Sequence, residues 1–413
     1  MPALQRRGID RSPRYVYHAG EEEVARSFRR TFFTLLIAIA VLLWLALGPG
    51  ARIWLSSQSP TIVSEIKGKY HNRVLIGSID GDFWSGVHLN KVVVLADDNP
   101  NHLPILESDK VTLGFSFGNL LSGDFTPNRI HLDGFDAVLY IAEDGSVVLP
   151  DWLSSAPIAR PLHAGYALPS FNGGNIRITC ENGVLEIIKR FPASTEIIEP
   201  VDLSVTRLAG SLTYVPDVGV TIETLNGDYL ATPVTVRGEI PTDSNGSFDI
   251  TATVGDLQLS SFFRDVEPLF QGSHYLPNGA ASGELHFRGT RDLPTITAAL
   301  ELVNTTIGNV TVDSSNAAMA YSAGVIELSG ITSQAYGGSI KGDGSINLLS
   351  NPPVWRLKCD FEQVELGKYL DANGYYAYGI SGGFSGEADA GGDFKNKEAL
   401  TCDATIRSSG GSY

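Results

Sequence analysis

Eight histidines, at positions 18, 71, 88, 102, 131, 163, 274 and 286, are the side chains best suited to bind a metal or move a proton near neutral pH. None falls in an H-E-x-x-H pair or another close ligand spacing. Asp80 and Asp82 share one face of a predicted strand, as a pair of glycosidase carboxylates could, but no sugar pocket can be inferred around them. Asp97-Asp98-Asn99-Pro100-Asn101 begins like a calcium loop and lacks the Gly and Glu that should follow in register, so it reads as a solvated turn. The stretch from Tyr336 to Gly344 has the glycine and aspartate rhythm of a calcium-binding nonapeptide with the wrong spacing. Within it, Gly342-Asp343-Gly344 lacks the remaining glycine of a dinucleotide loop and reads as a hairpin turn. No Walker loop occurs. Cys180, Cys359 and Cys402 are odd in number and far apart, which predicts buried or unpaired thiols with at most one bridge. The expectation is a protein that is not an enzyme and holds no metal or cofactor.

With no reaction to position, the informative elements are those that place the chain against a membrane. Thr31 to Ala51 is an uncharged apolar run. At about 1.5 Å per residue it is roughly 31 Å long as a helix, enough to cross a bilayer once. The 30 residues before it carry seven arginines against Asp10 and Glu21 to Glu23, a net charge of +3. Short positive flanks stay cytoplasmic. The whole chain is −16, so the remainder carries −19 and is expected on the far side of the membrane. Such an acidic surface disfavours nucleic acid. A cleaved signal peptide is the alternative, against which stand the length of the head and the untidy Gly48-Pro49-Gly50. The helix is expected to end at those three residues.

Beyond the anchor, 44 glycines in 413 residues punctuate segments that alternate with a period of two. Val111, Leu113, Phe115 and Phe117 alternate with Thr112, Gly114 and Ser116, and the same grammar recurs at Val138/Tyr140, Ile176/Ile178, Val201/Leu203, Leu285/Phe287, Ile296/Ala298 and Val310/Val312. Asp144-Gly145, Asn182-Gly183, Asn226-Gly227, Asn245-Gly246 and Asp343-Gly344 are expected as the turns between about 20 strands of a meander. Short helices are expected from Ser59, as cap, through Lys67, around Leu259 to Phe270, and over Val364 to Ala372.

Ile79-Asp-Gly-Asp-Phe-Trp-Ser-Gly-Val-His-Leu behind the anchor, the corner Leu120-Leu-Ser-Gly123 and the step Leu132-Asp-Gly134 carry a family resemblance. So do Tyr336-Gly-Gly-Ser-Ile-Lys-Gly-Asp-Gly and Ile380-Ser-Gly-Gly-Phe-Ser-Gly. Their order behind one apolar run resembles the AsmA/TamB-like proteins, and the likeness covers most of the chain after residue 50. The organisation expected from it is a basic tail (1–30), a transmembrane helix (31–51), an AsmA/TamB-like first β region with a short helix (52–160) and continuing groove repeats (161–413), either whole or truncated at Tyr413.

The resemblance implies a mainly β fold: one N-terminal transmembrane helix, then an elongated, curled antiparallel sheet forming a groove, with few short helices. It implies an inner-membrane anchor, a periplasmic body and phospholipid as cargo. Independently, an open sheet of about 20 strands must curl or close, and its apolar face needs a cover. The lining expected for a lipid groove is the row of Val111, Leu113, Phe115, Phe117, Val138, Tyr140, Ile176, Ile178, Leu285, Phe287, Val310 and Val312; the competing expectation is an ordinary dry core. Ile53, Trp54, Leu55, Ile62, Val63 and Ile66 are expected either to receive lipid at the membrane surface or to seat the first strand. The rival function is a TamB-like scaffold that pairs its strand edges with an outer-membrane β-barrel partner during assembly or secretion. A carbohydrate-active β-helix is a third reading.

Overall fold

The computed structural model describes residues 36–69, 73–95, 104–116, 127–141, 147–148, 174–189, 201–216, 218–241, 246–265, 277–290, 293–307, 310–350, 352–375, 381–393 and 399–412. Several expectations fall outside them: the basic tail, the first residues of the apolar run (31–35), the turn over Asp97 to Asn101, Phe117, the corner Leu120 to Gly123, the turn at Asp144-Gly145 and Asn245 of the Asn245-Gly246 turn.

One helical run, Leu36–Gly68, is long and apolar enough to cross a membrane. The stop expected at Gly48-Pro49-Gly50 does not occur. Proline removes one backbone donor, and the helix absorbs the loss as a π-helical turn, Ala46–Gly50, before continuing as α1 (Ala51–Lys69). Pro60 lies inside α1 instead of opening a new helix. Ser59 does not cap either: its hydroxyl accepts the N–H of Ile79 at 2.8 Å, a buried bond that ties the helix to the sheet.

Among the described residues, eighteen strands form one sheet. They are β1 (Val74–Asp82), β2 (Gly86–Leu95), β3 (Pro104–Phe115), β4 (Pro127–Ile141), β5 (Val147–Val148), β6 (Ile176–Lys189), β7 (Val201–Val215), β8 (Gly219–Tyr229) and β9 (Thr232–Pro241). Then follow β10 (Phe248–Gln258), α2 (Leu259–Asp265), β11 (Asn278–Gly289), β12 (Pro294–Ile307), β13 (Val310–Ser322), β14 (Val325–Ala335), β15 (Gly338–Asn347), β16 (Val354–Glu365), α3 (Leu366–Ala372), β17 (Ser381–Asp393) and β18 (Thr401–Ser412). Chain neighbours pair antiparallel throughout, except that β4 and β6 run parallel and β5 pairs only with the end of β4. Among the described pairings β1 and β18 each have one partner, so the sheet is open. Leaving out β5, seventeen strands lie side by side; at about 4.8 Å per step this spans about 77 Å.

Three of the expected turns are not turns. Asn182-Gly183 lies inside β6, Asn226-Gly227 inside β8 and Asp343-Gly344 inside β15. Hairpins with φ positive at both central residues, as a type I′ turn requires, occur instead at Leu230-Ala231, Ala323-Gly324 and Tyr336-Gly337. Asn182 has a different task. With φ +54°, it belongs to a line with Gly77, Lys91 (φ +52°), Asp109 and Gly134 (φ +59°) at aligned positions of β6, β1, β2, β3 and β4. The paired register skips each of these positions, and side chains change face across the line. In β3 the buried positions step from Val111 to Ser108 instead of keeping to odd numbers.

The dense core sits where α1 lies on β1 to β3. Leu55 of α1 is buried with Ile76, Ile79, Val87, Val92 and Val111, and Ile62, Val63 and Ile66 pack against the same cluster. The other two helices are one-sided brackets of seven residues each. Tyr229 donates to Asp265 of α2 at 3.0 Å and meets Phe262 edge-on, while Tyr336 meets Tyr369 of α3 edge-on at 5.4 Å. α3 begins two residues later than expected, at Leu366, and the expected residues 266–270 beyond α2 are outside the described part.

Candidate functional site

The site is a face of the sheet rather than a cluster of side chains. Beginning at Ile79, the cross-strand partners are Leu89, Val111, Leu132, Cys180, Gly210, Leu225, Val236 and Ala252. They continue through Leu285, Ala298, Met319, Leu328, Gly344, Leu357, Ala390 and Cys402. One uninterrupted row without a charged or hydroxyl side chain therefore crosses every strand except β5. A second row, two residues away on each strand except β8, where an irregularity makes it three, runs from Ile130 through Ile178, Leu212, Ile222, Gly238, Ile250, Phe287, Ile296, Tyr321, Ile326, Ile346 and Trp355.

Burial changes along these rows. Ile79, Val111 and Cys180 are buried, whereas from Leu225 to Ala390 only Ala298 is; the others are half-buried. Every member of the second row is half-buried. A packed sandwich would close over such residues, and here the concave face forms a groove instead.

The opposite face is polar. His88, His131 and His286 each share a hydrogen bond with a threonine on the neighbouring strand, Thr112, Thr179 and Thr251, at 3.0, 2.9 and 3.1 Å. Burial, with Lys110 nearby, lowers the pKa of His88 and so favours its neutral ring. Exposed ion pairs decorate the same side: Arg177 with Glu223 at 2.7 Å, Arg288 with Asp249 at 3.1 Å and Arg356 with Asp389 at 2.5 Å. Water screens such exposed pairs, and they add little to stability. Among the described residues no group of three or more His, Cys, Asp or Glu could hold a metal ion, and all three cysteines are free.

The predicted lining divides. Val111 is buried beneath α1 with Leu113 and Phe115 against it, so this stretch is covered by the protein's own helix. Ile178, Leu285 and Phe287 lie in the two rows, and Ile176 is buried opposite Tyr214. Val138 and Tyr140 fall out: Phe135 and Ala137 oppose Ser108 and Leu106, and alternation puts Val138 and Tyr140 on the other face. The cause is the change of face at Gly134, invisible to a pattern read strand by strand. Val312 opposes buried Thr305, and Val310, at the strand start, is exposed. Of the six residues expected at the membrane mouth, Leu55, Ile62, Val63 and Ile66 seat the helix on the sheet, while Ile53 and Trp54 are 72% and 54% exposed. Ile250, Tyr321, Ile346 and Trp355 belong to the groove without having been singled out. Their alternation is plain in the sequence, but only the register aligns them with Phe287.

The fold and this face define a class: a mainly β protein with one apolar helix able to span a membrane and one long, open sheet curled into a groove. No family model, curated protein or solved structure matches the chain.

Proposed function

We propose that the protein is anchored in an inner membrane by the apolar first part of the Leu36–Gly68 helix and conducts phospholipid acyl chains along the groove toward an outer membrane, with no chemical step. The observation that carries this reading is the uncharged row of partners from Ile79 to Cys402, half-buried over most of its length. A 16-carbon chain left in water is disfavoured by roughly 12 kcal/mol, and a continuous apolar face removes most of that while a charged headgroup stays hydrated at the open side. The resemblance to AsmA/TamB-like proteins supports the same reading.

The test is the phospholipid retained by the purified full chain, measured by mass spectrometry of extracted lipid. Phe287→Asp places a charge midway along the groove. The expected result is a several-fold loss of bound phospholipid with membrane insertion unchanged, since Phe287 is remote from the helix. Wild-type lipid content in this variant would overturn the reading. Capture of an outer-membrane β-barrel protein by a chain that carries no lipid would favour the scaffold instead.

A further inference from the structure

The junction between the membrane helix and the sheet contains a cleft of about 460 Å³, lined in part by Trp44, Pro49, Arg52, Ile53, Trp84 and Ser85. Its construction begins with Pro49. A proline has no N–H to give, so a carbonyl one turn earlier in the helix loses its partner. The indole N–H of Trp84 donates to the carbonyl of Trp44 at 3.3 Å, and the N–H of Phe83 donates to that of Leu47 at 3.1 Å. The turn between β1 and β2 thus completes the helix at its irregular point. Gly48 makes room: a Cβ there would stand 3.0 Å from the Trp84 ring.

Asp82 organises the turn. Its Oδ1 accepts the N–H groups of Trp84 and Ser85 at 2.9 and 2.7 Å, and its Oδ2 accepts Arg52 at 3.2 Å. Arg52 uses one of five donors in that bond and stays 63% exposed. It is also the first charge after the apolar run, and the next basic residue is Lys67. A helix that crosses the hydrocarbon as far as Ala51 therefore places Arg52 at headgroup level and Trp84 just inside it, where an indole with an apolar body and one polar atom is stable.

We propose that this cleft seats the phosphate of a bilayer phospholipid, with Arg52 as its cation, Trp84 and Ile53 against the upper acyl chain, and the Asp82 to Ser85 turn inserted in the interfacial layer. The proposal rests on the membrane-anchored lipid reading above and assigns it a headgroup site. A guanidinium offers paired donors that match phosphate oxygens, and the exposed apolar wall beside it excludes a purely ionic site.

The experiment uses the full chain in nanodiscs containing a phospholipid with a photoreactive group next to its phosphate. Peptide mass spectrometry locates the adducts. Labelling of the turn holding Trp84 and Ser85 is expected to fall about tenfold in Arg52→Gln and to persist in Arg52→Lys, which keeps the charge. Unchanged labelling in Arg52→Gln, or displacement of the label by inorganic phosphate, overturns the proposal, the second outcome marking a site for a soluble anion. Peptides around Phe287 are read in the same digest. Their labelling without labelling of the turn sinks this site and leaves the conduit standing; labelling of the turn alone supports this site and removes the conduit.

Discussion

The two ends of one sheet use the same alternation of apolar and polar residues for different purposes. From β1 to β7 the concave face is filled: α1 delivers Leu55, Ile62, Val63 and Ile66 onto it, and Ile176, Cys180, Val201 and Tyr214 are buried. From β8 onward the buried apolar residues among those described are Leu259, Ala298 and Ala335. The strands there are as long and as well paired. What differs is the cover. A helix of 19 residues lies across the first strands, whereas α2 and α3 have seven each and cover far less of the sheet. An apolar face therefore becomes core or groove according to what lies over it, and the face itself does not record which.

Truncating a leucine at each end should expose that difference most strongly. Leu55→Ala removes a side chain that is 5% exposed under α1, and a cavity there costs about 2–5 kcal/mol. Leu285→Ala shortens a half-buried residue in the open part, where the change in water contact is worth about 1 kcal/mol. Denaturant unfolding of the detergent-purified chain measures both. Equal losses would mean that the open end carries a core of its own, and the contrast would fail.

A pair of glycines gives the next largest contrast. The ring of Phe135 occupies the place that a Cβ on Gly183 would take, so Gly183→Ala forces a buried aromatic to move and should cost about 1–3 kcal/mol. Gly330, in β14, has φ +61° and nothing within 4 Å of an added Cβ. Gly330→Ala should cost only the left-handed backbone, about 1–2 kcal/mol at most, with no repacking. Near-ultraviolet circular dichroism should change for the first variant and stay unchanged for the second.

These glycines also mark where the sequence could be read and where it could not. The membrane-competent helix, the mainly β composition and the neighbour-to-neighbour order were legible, because apolar run length and period two act locally. Faces were legible only in short pieces. Val111, Leu113, Ile178, Leu285 and Phe287 were placed together by alternation, but Val138 and Tyr140 were not recognised as lying beyond a change of face. The misleading residues were the Asn-Gly and Asp-Gly pairs. Left-handed backbone is cheap for them, and β6 uses Asn182 within a strand while Leu230-Ala231 makes a turn without glycine. The helix through Gly48-Pro49-Gly50 was hidden for a related reason: its missing donor is compensated by Trp84, 35 residues beyond Pro49.

The smallest effect belongs to pH, and it should appear only at the filled end. Burial alone would raise the pKa of Asp82. Hydrogen bonds from the backbone and hydroxyl of Ser85 and the backbone of Trp84, with Arg52 beside them, outweigh it and hold the carboxyl below the ordinary aspartate range. A carboxyl with a folded pKa below the unfolded one adds stability that is complete above the unfolded value and lost as pH falls through the folded value. Between neutrality and about pH 5 the turn should therefore be insensitive to acid, and below about pH 4 the amides of Trp84 and Ser85 should lose hydrogen-exchange protection. Asp82→Asn removes the titration and should flatten that dependence while weakening the turn at every pH. The outer-face pair Arg356–Asp389, whose carboxyl is also held low by Arg356, lies at the solvent surface and should leave no comparable mark on β16. Loss of protection in β16 and in the turn over the same pH interval would show that acid acts on the whole sheet, and the turn would then have no special standing as the clamp between helix and groove.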